Sequence, residues 1–205
     1  NYSFIFNILL YVTILLPLSL YFVLCLENQV ESKSDNSNKK NIFFIWPLLI
    51  FLLALISMAN ALTEGSVDAW GALYMRDFIQ VDGFFIGIAT LSFNIFMVIG
   101  RLSGDWVRDK IGVFYLIFFL FLSTIVSLVI LANFNNIIIA IIGFSLLGIG
   151  ASSIVPIAYS LAGKIEGIDS GVGITIISIA VYGTFIGAPA TLGFIANTYG
   201  INNIF

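Results

Sequence analysis

Residues 60–77 read NALTEGSVDAWGALYMRD and follow directly on an apolar run from Ile42 to Met58. A helix carries residues four apart on one face, so Asn60, Glu64 and Asp68 would form one polar stripe on an otherwise apolar rod. A carboxylate at membrane depth costs about 2.5–3.5 kcal/mol on insertion scales and is retained mainly where it faces a bundle interior or a wet cavity. The stripe is therefore the leading candidate for binding a solute or a proton. The structural alternative puts the same residues at the water interface, capping a helix or pairing with Arg76. Depth separates the two: a carboxyl group held away from water can store and release a proton, which would fit proton coupling.

The rest of the chain sets the context. Of 205 residues, 60% are hydrophobic and 9% charged, where a soluble domain has about a quarter charged; the mean hydropathy is +1.09. The apolar residues come in blocks of helix-spanning length, not in the short alternating segments of a membrane β-barrel. The expectation is an all-α polytopic membrane protein in contact with a lipid bilayer. A net charge of −3 and a pI near 4.7 argue against a nucleic-acid partner, since no basic patch exists to neutralise phosphates. Cys25 stands alone and histidine is absent. No intramolecular disulfide, thiolate zinc cluster, or histidine-ligated metal or haem is expected, and a proton relay would run through carboxylates. No cofactor, metal site or catalytic residue is expected.

In chain order, Tyr2–Leu26 is long and apolar enough to span, with Pro17 as a kink, and ENQVESKSDNSNKKN at 27–41 is a polar linker. The second span starts at Ile42 and runs into the opening stretch. It is longer than a hydrocarbon core of about 30 Å needs, so it must tilt, break or protrude, with Gly65 the natural place for a break. Trp70 and Tyr74 are candidate interfacial aromatics. A third span is expected at Gly83–Leu102, holding Asn94, then a charged loop at Gly100–Gly112. Further spans are expected at Val113–Ala132, Ile137–Ala162 and Gly171–Asn197, with FNN at 134–136 as a turn. If the linker is cytoplasmic, alternation puts Lys33, Lys39, Lys40, Arg101, Arg108, Lys110 and Lys164 inside and leaves Arg76 outside. That bias supports six spans. The opening Asn, and an end just after YGINN, read as a fragment.

The loop GRLSGDWVRDKIG carries the second constellation: Gly100, Arg101, Gly104, Asp105, Arg108, Asp109 and Gly112. Glycines four apart permit close helix approach, and the charges could form ion pairs that lock neighbouring helices, although a solvated topogenic turn would look the same. This loop resembles the signature between helices eight and nine of the twelve-helix major facilitator superfamily. EGSVDAWGALYMRD resembles the end of helix seven in the fucose-permease-like branch of bacterial members, GIGASSIVPIAYSLAG resembles helix ten, and YGTFIGAPATLGFIA resembles helix eleven. The four patterns occur in order and cover nearly all of Asn60–Asn197.

The resemblance implies the C-terminal six-helix half of a twelve-helix major facilitator fold, truncated at both ends. Residues 1–26 would be the end of helix six, 27–41 the cytoplasmic central linker, and 42–205 helices seven to eleven with the start of twelve; the N-terminal half would be missing. It implies a transporter of the inner membrane, not an enzyme, moving a sugar or other small polar metabolite by alternating access with protons. Drug or metabolite efflux, and a non-transporting scaffold subunit, are the alternatives. Helices seven and ten would line the cavity, so the acidic stripe and the face Gly148, Ser152, Pro156, Ser160 would look inward. Pro156 also leaves a backbone carbonyl without its usual donor. Asn94, Tyr159 and Tyr182 are further candidates for holding a polar solute. The loop cluster would act as a conformational latch. The commoner loop signature has its acid at the position of Asp109, the resembling branch at Asp105; Asp105 is expected to be the locking acid, with Arg101 and Arg108 as partners.

Overall fold

The computed structural model describes residues 39–165 and 168–199. The expected first span, residues 27–38 of the linker and residues 200–205 lie outside the described residues. The described chain is helical: α1 (Lys39–Leu73), a π turn (Tyr74–Phe78), a 3-10 turn (Gly83–Gly87), α2 (Ile88–Asn133), α3 (Ile137–Ser152), α4 (Ile154–Ala162) and α5 (Ser170–Tyr199). No strand occurs among these residues. Four stretches are long and apolar enough to cross a membrane: Leu48–Phe78, Gly83–Asn133, Ile137–Ala162 and Ser170–Gly187. They are those of a multi-pass helical membrane protein.

The second stretch folds back on itself. Gly112 sits inside α2 at φ 83°, ψ 161°, a conformation that glycine adopts without the Cβ penalty other residues meet. Packing against α3 and α4 shows the reversal. Glycines 100 and 104 lie against Ser152 and Ser153, and Gly148 against Phe93 and Met97, so residues 88–111 run alongside α3 in the same direction. Ser123 Oγ donates to Leu146 O, and Ser127 Oγ to Gly143 O, both at 2.7 Å. Residues 113–133 therefore run the opposite way. Each arm is about 30–36 Å long, enough for one crossing.

This corrects the expected loop at Gly100–Gly112, which is helical up to Gly112. No proline interrupts it, Ser103 Oγ back-bonds to Ile99 O at 2.8 Å, and Arg108 reaches Asp105 one turn earlier. Gly65 also does not break α1. The helix passes through it beneath the Phe185 ring and loosens instead at the π turn, where Gln80 follows at φ 61°. Tyr74 is buried within the bundle, and its hydroxyl donates to Leu131 O at 2.9 Å, two residues before the end of α2.

In lipid no hydrophobic force drives helices together, so close packing and interhelical hydrogen bonds must hold them. The sequence supplies both. A Cβ on Gly143 would come within 2.7 Å of Leu131 Cδ2, and those on Gly148 and Gly150 would collide with Phe93 O and Thr124 Oγ1. The 113–133 arm turns Phe114, Phe118, Phe119 and Leu122 outward and buries Leu116, Leu120, Leu128 and Leu131. Two apolar cores result. One gathers Leu53, Ile56, Ile117, Phe121, Ile157 and Ile177 toward the Gly112 end. The other gathers Val67, Met75, Phe93, Leu128, Leu131 and Phe144 toward the opposite end. Along α1 the changeover falls at residues 61–67, and the polar residues concentrate there.

Candidate functional site

Asn60 and Glu64 sit near the middle of the apolar stretch Leu48–Phe78, between the two cores. Asn60 is buried, and its Nδ2 donates to Ala151 O at 3.3 Å. Glu64 Oε2 lies 3.6 Å from Arg101 Nη2; the side chains are 21% and 44% exposed. Arg101 Nε also donates to Ser152 O at 3.2 Å. One guanidinium thus touches a carboxylate of α1 and a carbonyl at the end of α3. Gly100 makes this approach possible, since a Cβ there would come within 2.5 Å of Ser152 Oγ. Ser153 Oγ lies 3.4 Å from Ser152 Oγ and donates to Gly100 O at 3.5 Å. A polar layer at mid-length therefore joins α1, the 88–111 arm and the α3–α4 break. When the Glu64 carboxylate takes up a proton it no longer balances Arg101, whose guanidinium keeps the Ser152 carbonyl as an acceptor.

The other sequence-derived candidates are more scattered. Asp68 is exposed one turn beyond Glu64. Asn94 is exposed, and its Nδ2 donates to Thr90 O at 2.9 Å within its own helix. Ser152 is fully buried, its hydroxyl donating to Ile149 O at 2.7 Å; with Gly148 it forms the contact against the 88–111 arm, whereas Pro156 and Ser160 are exposed. Tyr159 is half-buried and its hydroxyl accepts from Ser178 Oγ at 3.3 Å. Tyr182 is 64% exposed on α5.

Near Gly112, Arg108 Nη1 lies 3.3 Å from Asp105 and its Nε 3.7 Å from Asp109, with those acids 83% and 75% exposed. Lys110 Nζ sits 3.9 Å over the Trp106 ring. Arg101, expected among these, is drawn instead to Glu64 and Ser152 O. Arg76 pairs with its neighbour Asp77 at 2.6 Å. Sequence reasoning missed the carbonyls of Ala151 and Ser152 as acceptors for side chains of other helices. The signal for one of them was Pro156, four residues after Ser152.

No protein-family model matches the chain, and no solved structure matches it. Curated relatives do. The chain is 29% identical over 155 residues to the membrane protein MosC of Rhizobium meliloti, a match covering 74% of this chain and 37% of that protein. It is 28% identical over 160 residues to an uncharacterized MFS-type transporter of Yersinia pestis, covering 78% and 41%. It is 25% identical over 147 residues to an uncharacterized transporter of Sinorhizobium fredii, covering 72% and 39%. The chain spans about two-fifths of the length of these relatives. The four long apolar helices are those of a multi-pass membrane protein, and two of these three relatives are named as transporters, one of them of the MFS type.

Proposed function

We propose that this chain is the C-terminal half of a secondary transporter that moves a small polar solute by alternating access, with protons as the coupling ion. The observation that carries the reading is the Glu64–Arg101 pair at mid-length between two crossings, 3.6 Å apart and only part-buried. An ionisable group this far from either end of its crossing is kept mainly where it faces a bundle interior or a wet cavity, and it marks a functional site by default. Glu64 is the acid that exchanges a proton or binds solute, with Asn60 and Asp68 beside it. An N-terminal half of the same protein supplies the opposite wall, and rocking of the two halves exposes the site to each side in turn. The linker side faces the cytoplasm of a cell with this protein in its inner membrane, because the Gly112 end and Lys164 then lie inside with it. The fucose-permease-like resemblance favours a sugar or related metabolite.

The test is reconstitution of the full-length gene product in proteoliposomes, with solute-driven proton flux measured for the native protein and Glu64→Gln. Loss of coupled flux in the variant, with solute binding or exchange retained, is the expected result. Undiminished coupled flux removes Glu64 from the mechanism. Absence of flux across a broad panel of sugars, metabolites and drugs would favour a scaffold role.

A further inference from the structure

Pro156 has no N–H to give the carbonyl four residues earlier, and its ring crowds that carbonyl, which belongs to Ser152. The crossing Ile137–Ala162 breaks close to this point: α3 ends at Ser152, Ser153 takes φ −111°, ψ −1°, and α4 starts at Ile154. A carbonyl stripped of its donor inside a membrane protein needs another. Here the donor comes from another helix, Arg101 Nε to Ser152 O, and Asn60 Nδ2 donates to the neighbouring carbonyl of Ala151. The Arg101 guanidinium is planar, with its donors in a fixed fork, so the Nε bond to α3 and the Nη2 contact with Glu64 share one orientation.

We infer that Arg101 is a positioning residue that ties the state of Glu64 to the bend between α3 and α4. With Glu64 charged, the carboxylate holds the fork with Nε on Ser152 O. When Glu64 takes up a proton or engages a solute, the fork loses its anchor, Ser152 O loses a fixed donor, and the break becomes free to change angle. The other charge beside Glu64 is Asp68 on the same helix, and α3, α4 and α5 contain no Asp, Glu, Lys or Arg. Their tyrosines, Tyr159 and Tyr182, are the titratable groups that those helices bring among the described residues with described side chains. Arg101 is thus the cation that can answer Glu64. The inference rests on Glu64 as the working acid, but its geometry can be tested without transport.

Spin labels at Ile142→Cys and Ser160→Cys, both exposed and roughly 27 Å apart along the helix axis, bracket the break in a cysteine-free full-length protein. The distance distribution is measured in the native background, in Glu64→Gln and in Arg101→Lys, which keeps the charge but not the fork. Both variants are expected to broaden or shift the distribution. Pro156→Ala returns the missing N–H, so in that background the same two variants are expected to leave the distribution unchanged. Should Arg101→Lys fail to give folded protein, Glu64→Gln, which keeps the Arg101 guanidinium and removes only its anchor, carries the test. Unaltered distances in the native background, or equal changes with and without Pro156, overturn the coupling. Lost coupled flux in Glu64→Gln with native distances would keep the transport reading and overturn this inference. Responsive distances without any flux would do the reverse.

Discussion

Arg101 and Arg108 lie two turns apart on one arm of α2, and each meets carboxylates, yet they do different things. Arg108 pairs with Asp105 and Asp109, neighbours on its own helix near the exposed Gly112 reversal. Arg101 reaches across to α1 and to the end of α3, between two apolar cores. Exposed pairs contribute about 0–1 kcal/mol, because water and salt screen them and long side chains lose entropy in forming them. Removing one partner of a buried pair costs about 3–5 kcal/mol, because a charge is left without compensation. The distance from the turn, not the chemistry of the groups, separates an ion pair that ties three crossings together from one that ties a helix to itself.

The comparison breaks most easily at Arg101. Arg101→Gln strands the Glu64 carboxylate and weakens the donor to Ser152 O, and is expected to cost about 2–4 kcal/mol, below the fully buried value because Arg101 is 44% exposed. Thermal unfolding of the full-length protein in detergent measures it. Glu64→Gln should cost less, since Arg101 can still reach the carbonyl and water. The double variant should recover part of the Arg101→Gln loss. A stable Arg101→Gln protein would place Arg101 in the same class as Arg108.

A second contrast concerns glycine. Gly148→Ala would push a methyl into Phe93 O on the neighbouring backbone, which cannot swing aside as a side chain can. Overpacking of this kind costs about 1–3 kcal/mol, and here it would also pry the 88–111 arm, and with it Arg101, from α3. Nothing lies within 4 Å of a Cβ on Gly183, so Gly183→Ala is expected to be neutral or to stabilise by up to about 1 kcal/mol through helix propensity. The same detergent melts check both, and equal melts for the two variants would show that close approach at Gly148 does not position the arm.

How much of this was legible in the sequence follows from which forces act locally. The long apolar stretches and the turn at 134–136, where Asn136 accepts from Ile138 N and Ile139 N, are set by runs of neighbouring residues and were readable. Glu64 was readable as a misfit because its cost in lipid depends on its own chemistry. The free Ser152 carbonyl followed from Pro156 alone. What was not readable was who answers them. Arg101 looked like a loop residue because GRLSGDWVRDKIG is polar, yet polarity does not end a helix that lacks proline and can make its own pairs one turn apart; only Gly112, with its positive φ, does so. Tyr74 shows the same limit: an aromatic next to charged residues suits an interface, but nothing near it in the chain says that its hydroxyl satisfies Leu131 O across the bundle. Partners 37 to 57 positions away are chosen by packing, which a single sequence does not display.

The smallest expected effects belong to the exposed cluster, and they decide whether it does anything beyond its own helix. Asp105→Asn and Asp109→Asn should each shift stability by no more than about 0.5 kcal/mol and Arg108→Gln by no more than about 1 kcal/mol. High salt should erase these differences, since the Debye length falls from about 10 Å at 0.1 M to about 3 Å at 1 M. Transport in proteoliposomes adds a separate reading. If the cluster latches against the other half of the protein, lost transport should accompany unchanged melts, because the interaction at stake forms in one state of the cycle. The closer contact of Arg108 is with Asp105, 3.3 Å against 3.7 Å for Asp109, so Asp105→Asn should reduce transport more. The opposite order would assign the latch to Asp109, three residues before the Gly112 reversal, and equal, full activity in both would leave the cluster as a solvated turn whose work is to keep that end of the chain on one side of the membrane.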